Sequence, residues 1–209
     1  MNILILGATG ATGRLCVDEC LARGHKVGAF VHNSALRNAG ERLETLRGDL
    51  RNRADIAIAL EGRDAVVSTF AGSTPMRRFP DIVEAFSSLV HEMEAQGPQR
   101  LVYLSFLGVP AGRHQLGWFG RNVVSRFVLR NVAADHAAKE AFLKRSSLEW
   151  VIVRPPRLVN GPATGHYRCG EDIRADTIIP TISRADLAGF LIDQVENPRF
   201  VRKTPAIMY

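Results

Sequence analysis

The feature that most constrains this chain is a short segment near its start with a glycine at every third position. Residues 7–13 read Gly-Ala-Thr-Gly-Ala-Thr-Gly, directly after a strand-like segment and directly before a helix-like one. Such a turn aims backbone N–H groups and the positive helix end at one point, which suits a diphosphate; a glycine-rich turn with no ligand is the alternative. Gly7 permits a tight turn, Gly10 lets the ligand approach, and Gly13 lets helix and strand pack closely. The residues expected to hold the diphosphate are Gly7, Thr9, Gly10, Ala11, Thr12 and Gly13.

Strand-like and helix-like hydrophobic periods alternate along the rest of the chain. Strands are expected at Asn2–Leu6, Lys26–Val31, Asp64–Thr69, Arg100–Ser105 and Trp150–Arg154, with weaker ones near Leu46 and at Ala206–Met208. Helices are expected at Thr12–Arg23 and Asp81–Ala95, and a late helix opens at Ser183, where Asp186 completes a pattern resembling a capping box. This order predicts an α/β, Rossmann-type, doubly wound fold with a mostly parallel sheet covered on both faces. No linker or repeat interrupts it, so we expect a single NAD(P)-binding domain over residues 1–209.

The composition excludes several classes of protein. No apolar run approaches the roughly 20 residues that span a bilayer, so we expect no membrane partner. A strand pattern begins at Asn2 without an export signal, and the three cysteines do not form a disulfide or metal pattern. Reduced core thiols of this kind favour a cytoplasmic protein.

The basic charge raises the question of nucleic-acid binding. The net charge is +6, but the arginines of residues 113–157 are spread without any nucleic-acid-binding motif. A basic rim for a phosphorylated cofactor and an acidic substrate accounts for them, as does an ordinary solvated surface. We therefore expect no nucleic-acid partner.

The end of the second strand indicates which dinucleotide binds. A site that prefers NAD usually has an acidic residue there, which holds the ribose 2′-OH. Here the strand ends Phe30-Val31-His32-Asn33-Ser34, without a carboxylate that would repel a 2′-phosphate. Arg14, His32 and Arg37 are placed to bind that phosphate, so NADP(H) is the expected cofactor. Solvated surface arginines are the alternative for Arg14 and Arg37.

Two further segments are expected to contact the dinucleotide. Asp49 follows the short third strand, where it could accept a hydrogen bond from the adenine amino group while Leu50 packs on the ring. A simple turn aspartate is the alternative. Phe70, Ala71 and Gly72 follow the fourth strand, and open α/β sheets bind ligands beyond the carboxyl ends of their strands.

These motifs together resemble those of the NmrA-like atypical short-chain dehydrogenases. The resemblance rests on the glycine loop, Gly48-Asp49-Leu50, Ser105, Val153-Arg154-Pro155-Pro156 and the run 182–187. Within that group the chain is most similar to the flavin reductase (biliverdin-IXβ reductase) type. The resemblance implies hydride transfer from NADPH to a planar conjugated acceptor of flavin, tetrapyrrole or quinone type. It implies Ser105 as the catalytic residue and, at the nicotinamide end, His136, Pro156, Arg157 and Leu158.

The sequence departs from that family and from ordinary short-chain dehydrogenases. The family's arginine after the second strand is His32 here, and its histidine after the paired prolines is Arg157. Ordinary members reduce carbonyls with a serine and a Tyr-x-x-x-Lys pair, but the residue four before Lys139 is Asp135. The proton donor for a localised alkoxide is therefore missing, which favours an acceptor that spreads the charge over a conjugated ring.

The substrate side of the molecule is expected to come from residues 106–130 and 155–185. Trp118 and Phe119 could stack on a flat ring there, although Trp118 as an anchor for the next helix is the alternative. A non-catalytic NADP(H)-sensing protein and a relative of the nucleotide-sugar epimerases or dehydratases are alternative functions. The sequence allows either a monomer or a homodimer.

Overall fold

Six parallel strands form the central sheet. A computed structural model describes residues 1–32, 40–70 and 77–209, the last range without the side chains of 124–127. The strands are β1 (Asn2–Leu6), β2 (Lys26–Val31), β3 (Leu43–Arg47), β4 (Ala65–Ser68), β5 (Arg100–Leu104) and β6 (Glu149–Val153). Their order in the sheet is β3-β2-β1-β4-β5-β6. This order reverses beside β1, and ligands of doubly wound sheets bind at the carboxyl ends of the strands beside such a reversal.

The register of the sheet aligns these carboxyl ends. Leu6 lies beside Phe30 on one side and Ser68 on the other, and Leu104 lies beside Val153. The loops that follow β1, β2, β3 and β4 therefore open at one edge of the sheet.

Five helices cover the two faces of the sheet. They are α1 (Ala11–Ala22), α2 (Arg53–Leu60), α3 (Pro80–Gln96), α4 (Arg130–Arg145) and α5 (Arg184–Glu196). On one face, Cys16 and Cys20 of α1 and Leu191 of α5 pack on the strands in one apolar cluster. On the other face, α2, α3 and α4 contribute to a second cluster that contains Phe86 and Leu143. The predicted α/β doubly wound fold is confirmed.

Four short strands lie beyond the main sheet. β7 (Arg157–Val159) pairs in parallel with β9 (Thr181–Ser183), and β8 (Arg168–Gly170) pairs antiparallel with β10 (Ala206–Met208). Between β5 and α4 the chain forms a π-helical segment at Gly120–Val128. β10 lies next to the end of β6, where Ala206 forms a bridge with Arg154.

The expected bounds of some elements shift by a residue. The first helix begins at Ala11 rather than Thr12, and the sixth strand of the sheet ends at Val153 rather than Arg154. The backbone N–H of Arg154 donates to the carbonyl of Pro205 at 2.9 Å, and Arg154 forms an isolated parallel bridge with Ala206. The strands expected to end at Thr69 and Ser105 likewise end one residue earlier, at Ser68 and Leu104.

The capping box at α5 forms only in part. The hydroxyl of Ser183 accepts from the backbone N–H of Asp186 at 2.9 Å, as expected of an N-cap. The N–H of Ser183, however, donates to the hydroxyl of Tyr209 at 3.2 Å. The carboxylate of Asp186 does not complete the reciprocal bond, since it is one methylene shorter than the usual glutamate.

That carboxylate instead joins three segments. It accepts from the N–H groups of Thr164 and Gly165 at 2.9 and 2.8 Å and from the hydroxyl of Tyr209 at 2.6 Å. The hydroxyls of Thr164 and Ser183 each lie 3.0 Å from Oδ2, the same oxygen that accepts from Tyr209. Burial raises the pKa of Asp186, but the hydrogen bonds from Tyr209, Gly165 and Thr164 outweigh it and lower the pKa overall. Asp186 therefore fixes the loop after β7 and the end of β10 to the start of α5.

Candidate active site

The glycine loop between β1 and α1 has the geometry that its spacing predicts. Gly7 has φ +82°, and a Cβ on it would lie 2.8 Å from Oγ1 of Thr69. A Cβ on Gly13 would lie 2.0 Å from the carbonyl oxygen of Gly7, so helix and strand approach too closely for any side chain. A Cβ on Gly10 would meet only that same oxygen, at 3.2 Å. Gly10 thus leaves its outer side open to a ligand.

The N-terminus of α1 faces this open side. Gly10 is its N-cap residue, without a side-chain hydrogen bond, and the first turn carries no acidic residue. Ala11 and Arg14 are exposed, whereas Thr12 is buried. Backbone N–H groups at such a terminus attract an anion, and the diphosphate of a dinucleotide fits this cradle.

A cavity of about 410 Å³ continues from the loop along the carboxyl ends of β1, β2 and β3. It brings together six of the residues predicted from sequence, which are Gly7, Thr9, His32, Asp49, Leu50 and Phe70. Sequence reasoning missed other lining residues, including Phe30, Arg51, Phe79 and Ile82. Phe79 and Ile82 lie at the start of α3, too far along the chain for a local motif to place them. Arg37, Ala71 and Gly72 lie outside the described residues.

Arg51 engages the carboxylate that was predicted to meet adenine. Its guanidinium donates to both oxygens of Asp49 at 2.6–3.0 Å, and the Arg51 N–H donates to Oδ1 at 2.9 Å. These bonds lower the pKa of Asp49 to about 2. The charge of Arg51 is thereby largely neutralised within the pair. The D-x-R spacing after β3 was the signal that could have revealed the pair.

Two buried polar pairs join β5 to α4. The hydroxyl of Tyr103 lies 2.7 Å from Nδ1 of His136, and the hydroxyl of Ser105 donates to Oε1 of Glu140 at 2.7 Å. Residues two apart on a strand stand ~7 Å apart, and residues four apart on a helix stand ~6 Å apart on one face. The spacing between Tyr103 and Ser105 therefore matches the spacing between His136 and Glu140, so both hydrogen bonds can form together.

Glu140 is ionised in this buried setting. Burial raises its pKa, but the hydrogen bond and charge of Arg154, with the Ser105 hydroxyl, lower the pKa overall. Nε of Arg154 donates to Oε1 of Glu140 at 2.9 Å, and Nη1 of Arg154 lies 3.2 Å from the Thr204 hydroxyl. Ser105, Glu140 and Arg154 are each no more than 5% exposed. The serine hydroxyl thus has a charged acceptor as its partner.

The neighbours of Glu140 on α4 have pKa values shifted by burial. Burial and the nearby Lys139 lower the pKa of His136 to about 3, so its ring is neutral. Burial lowers the pKa of Lys139 to about 8 against the opposing effect of Asp135. The ammonium of Lys139 lies 5.9 Å from the centroid of the Phe70 ring, which lines the first cavity. Asp135 is fully buried and accepts from Arg78 and from the N–H of Phe79.

A second cavity of about 460 Å³ begins at Phe106, the residue after Ser105. Its walls come from residues 106–129 and 156–180, and Pro156 and Arg157 are among them. Leu158 packs instead against the apolar cluster beneath α5. Ser105 and His136 line neither cavity, but Phe106, which lines the second, has its ring centroid 6.1 Å from that of His136.

Gln115 ties the two walls of this second cavity together. Its side-chain amide donates to the carbonyls of Glu171 and Ile173 at 2.7 and 3.1 Å, and its backbone carbonyl accepts from the N–H of Ala175 at 2.8 Å. Phe119 lines the cavity, whereas Trp118 is 70% exposed beside it. Such exposure excludes the alternative in which Trp118 anchors the next helix.

The glycine loop and the cavity beyond it fit the family that the chain matches. A family model described as NAD(P)H-binding matches residues 7–198. The chain belongs to this NAD(P)H-binding family. The expectation of a nicotinamide dinucleotide cofactor is confirmed by this match.

Relatives of this NAD(P)H-binding protein include dehydrogenases and reductases. A 3β-hydroxysteroid dehydrogenase of Mycolicibacterium neoaurum is 32% identical over 122 residues, covering 53% of this chain and 33% of that protein. This chain thus spans about a third of the length of that relative. These similarities support a family that is oxidoreductase-like or epimerase-like.

Solved structures share the whole fold. One from Bacteroides thetaiotaomicron, named as a candidate epimerase, is 25% identical with TM-score 0.83, covering 100% of this chain and 96% of that one. An anaerobilin reductase from Escherichia coli O157:H7 is 21% identical with TM-score 0.80, covering 99% of this chain and 96% of that one.

In the described ranges, no helix has the length and apolarity needed to cross a bilayer.

Proposed function

We propose that this protein is an NADPH-dependent reductase that transfers a hydride to a planar conjugated acceptor. The dinucleotide, when bound, supplies the hydride, which carries both electrons of the reduction. The acceptor would gain that hydride and one proton from water, which would leave the dinucleotide oxidised as NADP⁺. The chain's own residues bind and orient both molecules, and orientation alone can lower a barrier by several kcal/mol.

The observation that carries this proposal is the direction of the Ser105 hydroxyl. A serine hydroxyl has one proton and two lone pairs, and here the proton is donated to the ionised Glu140. A ligand that reaches Ser105, which is 5% exposed and lines neither cavity, would therefore meet only its lone pairs. We assign it the task of accepting a hydrogen bond from the nicotinamide carboxamide, which fixes the ring for transfer.

The residues near Ser105 do not replace the missing acid. The phenol of Tyr103 is fully buried against His136, and burial raises its pKa well above the usual value. Asp135 occupies the position where ordinary short-chain dehydrogenases have tyrosine, and Arg78 and the Phe79 N–H engage its carboxylate. A conjugated acceptor needs no matched acid at the moment of transfer, because its ring spreads the incoming charge.

The preference for NADPH rests on the end of β2. His32 lines the first cavity, is exposed, and lies with Nδ1 3.4 Å from the carbonyl of Gly48. No carboxylate follows β2 at that point to repel a 2′-phosphate. Arg14 stands exposed on the first turn of α1 and can approach the same phosphate.

The proposal is tested by following the loss of NADPH absorbance with a quinone, a flavin and a tetrapyrrole as acceptors. We expect saturable turnover with NADPH, weaker turnover with NADH, and a kcat about tenfold or more lower in Ser105→Ala. Ser87→Ala on α3, outside both cavities, is the matched control and should retain activity.

A second function is favoured by the same lack of a proton donor. A protein that binds NADP(H) only to sense it needs the cradle but no acid. Tight NADPH binding without turnover of any acceptor would contradict the reductase proposal and support this one. An epimerase would need the tyrosine that Asp135 replaces.

A further inference from the structure

We infer that the second cavity binds an acid with an apolar body, and that Arg157 recognises the acid group. The inference rests on the proposed function, because it names the class of acceptor that the reductase takes. It narrows the conjugated acceptors to those whose ring system carries few polar groups. Free flavins, with their polar ring edge and ribityl chain, fall outside this class.

The second cavity is lined almost entirely by apolar side chains. The side chains that line it include Phe106, Leu116, Phe119, Leu129, Ile178 and Ile179. Among the lining residues that the structure describes, Arg157 alone has a polar side chain. A polar group placed in such a site loses its hydrogen bonds to water without gaining new ones, so the site disfavours polar ligands.

Arg157 lies at the cavity with its side chain exposed. It begins β7, where its backbone is aligned with Thr181 of β9. Its own wall, residues 156–180, carries three acids, and two of them are engaged elsewhere: Asp176 pairs with Arg168 at 3.0 Å, and Glu171 accepts from the N–H of Thr204 at 2.9 Å. The third, Asp172, is exposed to solvent. The other wall carries no acid, since residues 95–134 contain neither Asp nor Glu. Arg157 is thus placed to bind an anionic group of a ligand.

Exposed hydrophobic side chains surround the cavity. Most of the large hydrophobic side chains that are exposed in the described residues lie on its two walls. They are Trp118, Phe119, Val128, Ile178 and Ile179, between 46% and 74% exposed. The tie through Gln115 holds these walls side by side, so they can cover both faces of one apolar body.

Three probes test the inference by calorimetric binding to the protein loaded with NADP⁺. They are a naphthoquinone with a propionate side chain, its methyl ester, and riboflavin. We expect the acid to bind about tenfold more tightly than the ester, as a hydrogen bond to a charged group would give, and riboflavin to bind weakest. Arg157→Gln should abolish the advantage of the acid over the ester. Arg130→Gln, an exposed arginine at the start of α4 that does not line the cavity, should preserve it.

Equal binding of the acid and the ester to the unaltered protein would overturn the inference, as would riboflavin binding more tightly than the ester. Persistence of the acid's advantage in Arg157→Gln would also overturn it. Failure of the proposed function gives a different result. The probes would then bind in the expected order, but NADPH would not reduce them.

Discussion

Oη of Tyr103 lies 2.7 Å from Nδ1 of His136, inside the interface between β5 and α4. The phenol keeps its proton because burial raises its pKa, and burial keeps the imidazole neutral by lowering its pKa to about 3. Because the phenol has no other hydrogen-bond acceptor among the described residues, we expect it to donate to Nδ1, which puts the ring proton of His136 on Nε2. On this assignment the pair selects one tautomer of His136, which the family resemblance implies at the nicotinamide end.

Replacing Tyr103 with phenylalanine should release this constraint. We expect Tyr103→Phe to lower the free energy of unfolding by about 1–3 kcal/mol, because Nδ1 loses its donor in a buried site. Nitrogen-15 NMR of His136 should show one tautomer in the original protein and a mixture in the variant. Tyr167→Phe, at a half-buried tyrosine, is the control and should change the free energy by less than about 0.5 kcal/mol. An unchanged tautomer in Tyr103→Phe would contradict the assignment.

Removing the charge of Glu140 should be far more costly. Glu140→Gln leaves Arg154 buried without its counter-charge, which costs about 3–5 kcal/mol. The folded pKa of Glu140 is lowered, so its stabilisation is present above the ordinary glutamate pKa and is lost as pH falls through the folded value. Denaturant unfolding at several pH values measures both effects. The control is Glu149→Gln, in a half-exposed pair with Arg100, which should lower the free energy of unfolding by less than about 1 kcal/mol. An equal loss in Glu140→Gln and Glu149→Gln would contradict the prediction.

Asp186→Asn should loosen the loop after β7. The amide cannot accept all the hydrogen bonds from Thr164, Gly165, Ser183 and Tyr209, so we expect a loss of about 2–4 kcal/mol. Because the folded pKa of Asp186 is lowered, the original protein loses this contribution on acidification, and the variant has none to lose. Hence the two unfolding curves should converge at low pH. Curves that remain parallel would show that Asp186 does not titrate as described.

Two glycines of the cofactor loop should respond differently to alanine. In Gly13→Ala the new Cβ would lie 2.0 Å from the carbonyl of Gly7, so both stability and NADPH affinity should fall strongly. In Gly10→Ala the nearest atom is 3.2 Å away, so the protein should fold with a loss of about 1 kcal/mol or less while NADPH affinity falls at least about tenfold. Gly40→Ala, with no atom within 4 Å, is the control. Unimpaired NADPH binding in Gly10→Ala would argue against a diphosphate at this loop.

A carboxylate at the end of β2 should change the choice of cofactor. His32→Asp places a negative charge where the 2′-phosphate is expected, so the Kd for NADPH should rise by about tenfold or more. The Kd for NADH should stay the same or fall, because the carboxylate can accept from the ribose 2′-OH. Fluorescence titration with each dinucleotide measures the ratio. An equal rise for both would place the 2′-phosphate elsewhere.

The parts that could be predicted from sequence depend on short-range patterns. The strands and the glycine loop follow from the alternation of apolar residues and from the spacing of Gly7, Gly10 and Gly13. The direction of the Ser105 hydroxyl could not be predicted, because its acceptor Glu140 lies 35 residues further along the chain. Arg51 could have been predicted, because the D-x-R spacing that pairs it with Asp49 is local.

The matched spacing of β5 and α4 has a consequence for how such chains can diverge. Sliding α4 by one residue would separate both polar pairs at once, so neither pair can adjust to relieve the other. A substitution at Ser105 or Glu140 alone leaves a polar group stranded in the interior, whereas a joint replacement by apolar residues of similar size need not. Lineages of this fold should therefore exchange the members of each pair together, and an intermediate with only one exchanged should be short-lived.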